Sequence, residues 1–262
     1  MPELPEVEIF KRYLDRTSLR QRIVRVDVQR PYVLKGISAS ELTRQLKGRR
    51  FESSRRHGKH LFVRAGRDLW LRLHFGMTGS LEYLNADQQT PPYARVLFRF
   101  VKNRRLAFDD PRQFGEIGLL NDVDAYLTAR TIGPDALKVS FSRFKKVLTR
   151  RGAVKAVLLN QKLISGIGNL YADEILFRAR IHPATQTPAF KQKAIAKLFR
   201  ATRDILKKAI EAKANADRMP NSWLLPHRGR GGKCPRCRRQ LKSATIGGRT
   251  AWFCAHCQKR VH

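Results

Sequence analysis

The chain has 262 residues, 42% of them hydrophobic, enough for one large domain or two to three smaller ones. Fifty-four Lys and Arg against 21 Asp and Glu leave a net charge of +33, more than solubility requires, and point to a polyanionic partner. No stretch approaches the roughly 18 uninterrupted apolar residues of a membrane helix. Glu3, Glu6 and Glu8 stand where a secretory leader needs a basic and then an apolar run, so a soluble, intracellular protein is expected.

In chain order, the first expected element is a helix from Pro5 to about Asp15, with Val7, Phe10 and Leu14 on one face. Short β-rich segments at 22–28, 50–54, 60–64, 68–74, 80–84, 96–101, 104–108 and 115–120 predict an antiparallel sandwich or barrel. After Gly133-Pro134 the period turns helical, at 142–150, 154–160, 170–179 and 188–214. Residues 215–233, heavy in Asn, Pro, Arg and Gly, read as a loop. Strands at 240–246 and 249–253 follow, joined through Gly247-Gly248. The expected fold is α+β and multidomain: a β-sandwich with its N-terminal helix at 1–125, a helical part at 126–228 and a hairpin appendage at 229–262. Paired basic residues such as Arg49-Arg50, Arg104-Arg105, Arg150-Arg151 and Lys207-Lys208 are spread along it. That spread predicts a long phosphate footprint, which gives affinity without sequence choice.

Cys234, Cys237, Cys254 and Cys257 form C-x2-C-x16-C-x2-C. Two such knuckles present four thiolates to one tetrahedral ion, so a single structural Zn2+ is expected. Two disulfides are the alternative, but a cytosolic chain with loops this short needs no staples. His256 and His262 lie nearby, and a complete cysteine set leaves them no ligand role.

Three turns stand out. In Ser165-Gly166-Ile167-Gly168-Asn169, Asn169 suits the N-cap of the following helix, whose free N–H groups make a phosphate seat; a plain helix corner would look the same. Leu73 to Gly79 places Met77 at a Gly-bounded tip, and Asp109 to Gly115 places Arg112 and Phe114 in another. Such side chains either wedge into a duplex when a base leaves the stack or are ordinary core residues.

Met1-Pro2-Glu3-Leu4-Pro5-Glu6 is unusual. Removal of Met1 would leave an N-terminal proline whose amine titrates near pH ~8, so a useful fraction is a free nucleophile at neutrality. Glu3 beside it could serve as a general acid. An acidic helix start accounts for Glu6 and Glu8, and less well for Pro2-Glu3.

Taken together, the Pro2-to-Glu8 start, the Lys59 segment, the His74–Gly79 and Asp110–Gly115 turns, Gly166 to Ala172 and the cysteine hairpin resemble the Fpg/Nei family of DNA glycosylases, its formamidopyrimidine-DNA glycosylase branch in particular. The resemblance covers essentially the whole chain. It implies a bifunctional glycosylase and AP lyase of base excision repair, acting as a cytoplasmic bacterial monomer on double-stranded DNA with a damaged base. Pro2 would form the Schiff base and Glu3 donate the proton that opens the sugar. Lys59 would contact phosphate and assist β-elimination, and Arg249, at the zinc-hairpin tip, δ-elimination. Asn169 of the helix-two-turn-helix and His74 would clamp phosphate, and Arg151 would add a backbone contact. Met77, Arg112 and Phe114 would fill the vacated duplex, Arg112 facing the orphaned cytosine.

Two features depart from the family pattern. Residues 215–233 form a shorter segment than the loop that closes over a flipped 8-oxoguanine, and Gln113 stands where a second arginine is frequent. Ring-opened and oxidised purines are the expected substrates. A Nei-like preference for oxidised pyrimidines, or for bulkier lesions, is the alternative within the enzyme class; a catalytically silent zinc-containing DNA-binding protein is the alternative outside it.

Overall fold

The computed structural model describes residues 2–260; Met1 and His262, on which two of the readings above fall, lie outside the described residues. The backbone groups into two compact units, one of Glu6–Arg130 with Pro2, the other of Thr131 onward with Glu3–Pro5. Both are built from elements of the expected kinds, and the fold is α+β.

The first unit opens with α1 (Leu4–Thr17), two residues longer at its C-terminal end than the apolar spacing implied. Two four-stranded antiparallel sheets follow. One is ordered β1 (Ile23–Val28), β6 (Ala94–Phe100), β7 (Arg105–Asp109), β5 (Ser80–Leu84); the other β2 (Ser53–His57), β3 (His60–Arg64), β4 (Trp70–His74), β8 (Glu116–Leu120). Inward residues of both sheets (Val96, Phe98 and Phe108 from one, Leu61, Val63 and Leu71 from the other) share one core with Val7 and Leu14. The expected strand at 50–54 is displaced: Arg50 makes only an isolated bridge to Arg22, and the ladder begins at Ser53, where β3 supplies partners. One helix interrupts the β half, α2 (Ala39–Leu46), and another follows its last strand, α3 (Val123–Ala129); they are capped by the Ser38 hydroxyl and the Asp122 carboxylate.

In the second unit α4 (Phe141–Val147), α5 (Val154–Leu159), α6 (Asn169–Ala179) and α7 (Gln192–Glu211) enclose a core that includes Leu4. The segment read as a loop carries only two short 3-10 turns and is packed: Met219, Trp223 and Leu224 are buried, and the Leu225 N–H donates to the Glu174 carboxylate at 2.9 Å. Burial pushes the Glu174 carboxyl up to about 7. The chain ends in β9 (Lys242–Ile246) and β10 (Arg249–Phe253), with β10 beside α6.

Candidate active site and nucleic-acid interface

The N-terminus is positioned by the turn before α6. Leu4 N–H donates to the Gly166 carbonyl at 3.0 Å. The buried Glu3 carboxylate accepts the N–H groups of Gly168 at 2.7 Å, Leu170 at 2.9 Å and Tyr171 at 3.4 Å. Glu3 therefore supplies the acceptors that a helix start lacks, with the helix dipole in its favour. The glycines here have a reason: a Cβ on Gly168 would stand 2.3 Å from the Glu3 carboxyl carbon, and one on Gly166 2.6 Å from the Leu4 side chain.

This corrects the expectation for Asn169. It is the first helical residue rather than the N-cap, which is Gly168, and no cap bond comes from the residue's own side chain. The Asn169 Oδ1 is buried and has no hydrogen-bond partner among the described residues. Arg151 is exposed in the turn leading to α5.

In the first unit, Lys59 sits in the two-residue turn between β2 and β3, where Gly58 takes a positive φ of 56°. That turn is tied to α1 by Arg56. Its buried guanidinium donates to Glu8 at 2.9 Å and to the Gly58 carbonyl at 3.1 Å. Glu8, read as part of an acidic helix start, thus anchors the Lys59 turn.

The two wedge turns come together through one residue that the sequence reading passed over. Asp110, fully buried, accepts from the Thr78 hydroxyl and from the Gly115 N–H, each at 2.7 Å. Gly76 packs so tightly on the Phe114 backbone that a Cβ would come within 2.3 Å. Between them Met77 and Phe114 remain 40% and 54% exposed, far outside the range of core residues, which decides against the core reading. The Arg112 guanidinium lies 5.1 Å above the Phe114 ring. His74 underlies this turn, its Nδ1 accepting the Gly76 N–H at 3.3 Å. Its ring lies 4.9 Å from that of His60 across the β3–β4 ladder. Burial lowers the pKa of both imidazoles.

The four cysteines converge: their Sγ atoms lie within 4.8 Å of one another, with Cys234–Cys257 at 3.9 Å and Cys237–Cys254 at 3.5 Å. A tetrahedral ion with Zn–S bonds near 2.3 Å needs sulfurs roughly 3.8 Å apart, so the set fits zinc and leaves His256 outside it. Arg249 starts β10 and is exposed beside the Gly247-Gly248 turn, both of whose glycines take positive φ. Behind it lies a network centred on a fully buried ion pair. Lys155 pairs with Asp173 at 2.6 Å and donates to the Thr250 carbonyl at 2.9 Å; Asp173 also holds Arg228 and accepts the Trp252 N–H at 3.0 Å.

Residues 1–117 match the formamidopyrimidine-DNA glycosylase N-terminal domain, residues 132–220 the H2TH domain of the same enzyme, and residues 231–260 the zinc finger found in FPG and IleRS. The formamidopyrimidine-DNA glycosylase of Pelotomaculum thermopropionicum is 34% identical over 274 residues, spanning 99% of each chain. The chain belongs to the formamidopyrimidine-DNA glycosylase family. The family's enzyme from Carboxydothermus hydrogenoformans is likewise 34% identical, over 99% of this chain and all of that one. A crystal structure of Lactococcus lactis Fpg with DNA containing an abasic site matches at a TM-score of 0.89, with 28% identity over 98% of this chain and 100% of that. The same enzyme with DNA containing N7-benzyl-Fapy-dG matches at 0.88, with 27% identity over 99% and 100%.

In Fpg terms, the cysteine set is the structural zinc site of the finger. Asp110, Arg56 and the Lys155–Asp173–Arg228 network are the supporting residues that sequence reading missed. Only Asp110 carried a local signal, an Asp before a proline in a turn-rich stretch.

Proposed function

We propose that this protein is a bifunctional DNA glycosylase and AP lyase that removes ring-opened and oxidised purines from duplex DNA. With Met1 removed, the Pro2 nitrogen attacks C1′ of the damaged nucleotide, and the base leaves with the electrons of the glycosidic bond. Glu3 donates a proton to the ring oxygen as the sugar opens, leaving an iminium between Pro2 and C1′. Loss of a C2′ proton then expels the 3′ phosphate and a second elimination the 5′ phosphate, with Lys59 and Arg249 holding the departing phosphates. Asn169, His74 and Arg151 contact the backbone, while Met77, Arg112 and Phe114 occupy the gap in the helix.

The observation that carries this reading is the anchoring of Glu3 by the N–H groups of α6. It fixes the backbone directly after Pro2, and a nucleophile needs that definition more than a binding surface does. The working division is a β-sandwich at 1–125, a helical part at 126–228 and a zinc finger at 229–262, in a cytoplasmic monomer. No described helix is long and apolar enough to cross a membrane.

Borohydride reduction on an abasic duplex tests the chemistry: the wild type should trap covalently, and Pro2→Gly should not. Equal trapping by both, or an intact-mass measurement that finds Met1 retained, overturns the Schiff-base step. A panel of lesion duplexes tests the substrate, and failure on every oxidised purine would favour the pyrimidine-directed alternative.

A further inference from the structure

Where α1 ends, the first unit carries a second cluster of cations. Arg20, Arg22, Arg50, Lys102 and Arg104 line one cleft of about 470 Å³ to which no carboxylate contributes. All five are exposed. Several other exposed arginines of this unit do have acidic partners: Arg12 pairs with Glu8, Arg25 with Asp27, and Arg44 with Glu41. Among the described residues none of these five forms an ion pair.

The backbone holds the cluster together. Arg22 bridges Arg50, and its carbonyl accepts the Val101 N–H at 3.3 Å, joining the turn after α1, the start of β2's approach and the β6–β7 turn. Lys102 and Asn103 take φ of 58° and 52°, the two left-handed positions of a hairpin turn, and Arg20 takes 64°. Asparagine is at home there, but glycine would fit the other two positions without strain, and this chain uses a lysine and an arginine. Five like charges also repel one another unless an anion sits between them.

We propose that this cleft is a second phosphate-binding site, separate from the lesion site and suited to a run of phosphates rather than a single carboxylate. Pro2 precedes the first turn of α1 and Arg20 follows its last. At 1.5 Å per residue its 14 residues put roughly 21 Å between them. On this proposal the stretch of backbone in the cleft belongs to a second duplex, held while the first is bound for excision, and the duplex-pairing assay tests that assignment. Free polyphosphate carries the same chemistry and is the other source of such a ligand.

The test uses the full-length zinc-loaded protein, a triple variant Arg20→Gln/Arg22→Gln/Lys102→Gln, and a control with the same charge loss, Arg30→Gln/Lys47→Gln/Arg67→Gln. Tripolyphosphate binding is followed by calorimetry, and pairing of two short duplexes by energy transfer between a donor on one and an acceptor on the other. The triple variant should bind tripolyphosphate at least tenfold more weakly and lose duplex pairing, with single-turnover excision from one short duplex within twofold of wild type and the control unaffected. Loss of tripolyphosphate binding with no duplex pairing even in the wild type assigns the site to free polyphosphate. The proposal is overturned if the triple variant matches wild type in both assays, or if the control loses as much. It is also overturned if excision falls in parallel with duplex pairing.

Discussion

The Glu3 carboxylate accepts the Gly168 N–H at 2.7 Å across 165 residues of sequence. Through that bond a residue at the start of the chain acts as the cap of a helix in the middle of it. Glu3→Gln should therefore act twice. An amide oxygen can keep the Gly168 and Tyr171 donors, but the amide NH2 then faces the Leu170 N–H, loosening the start of α6. Loss of a general acid lowers single-turnover base excision by about 10²–10⁴-fold. Cleavage of a preformed abasic site should fall much less, because its hemiacetal sugar opens to the aldehyde without a proton from Glu3. Equal losses on both substrates would show that Glu3 acts only by holding Pro2.

The Asp173 side chain is fully buried and joins Lys155, Arg228 and the Trp252 N–H. Asp173→Asn leaves the buried Lys155 cation without its counter-charge, an arrangement that costs about 3–5 kcal/mol. Urea unfolding should register that loss. Because Lys155 also holds the Thr250 carbonyl, the residue after Arg249, strand cleavage after base removal should slow as well.

Asp110→Ala removes the acceptor shared by Thr78 and Gly115. Each stranded donor costs about 1–3 kcal/mol. Excision from a paired duplex should fall with it, while cleavage of an abasic single strand, which has no gap to fill, should be nearly unchanged. A variant that excised from duplex at the wild-type rate would detach the Met77, Arg112 and Phe114 cluster from lesion extrusion.

The buried His60–His74 pair gives the first unit a pH dependence of definite sign. Both imidazoles are lowered from the usual 6.5, so the folded state binds fewer protons than the unfolded chain. Stability from this source is fully present above about pH 6.5 and is lost as pH falls toward the folded values. His60→Phe should flatten that slope, since the His60 Nδ1 is buried with no hydrogen-bond partner among the described residues and the ring already packs near Phe62 and Tyr126. Chemical unfolding between pH 7.5 and 5 measures it.

Chelation of zinc should release the Cys234–Cys257 knuckles, free Arg249 and weaken DNA affinity. Titration of a labelled duplex before and after chelation checks this, and unchanged affinity would separate the finger from binding.

Much of this was legible in the residues alone. β3 and β5 fall where a run of β-formers between turn residues placed them, at His60–Arg64 and Ser80–Leu84, because both the strand-forming residues and the turns that bound them are local signals. The strand expected at 50–54 moved because its ladder is set by β3, and no local pattern records a partner's register. α2 was overlooked although Ser38 and Glu41 spell its cap; its eight residues are too short for periodicity to stand out among strands. The cysteines could be paired with a metal from spacing, since their chemistry is local. The capping of α6 by Glu3 could not, because the donors and the acceptor belong to distant segments and Asn169 offered a plausible local answer.

The burial of Met219, Trp223 and Leu224 has a bearing on engineering. Anyone grafting a longer base-covering loop onto this scaffold would wreck the helical core by cutting at 215–225. Gly229 and Gly231, both at positive φ and with nothing within 4 Å of where a Cβ would stand, mark where added sequence has room to go. Insertion at this short, glycine-bounded stretch leaves the packed half of the segment as the foundation, and lesion panels run on such insertions would test whether its length sets the lesion range.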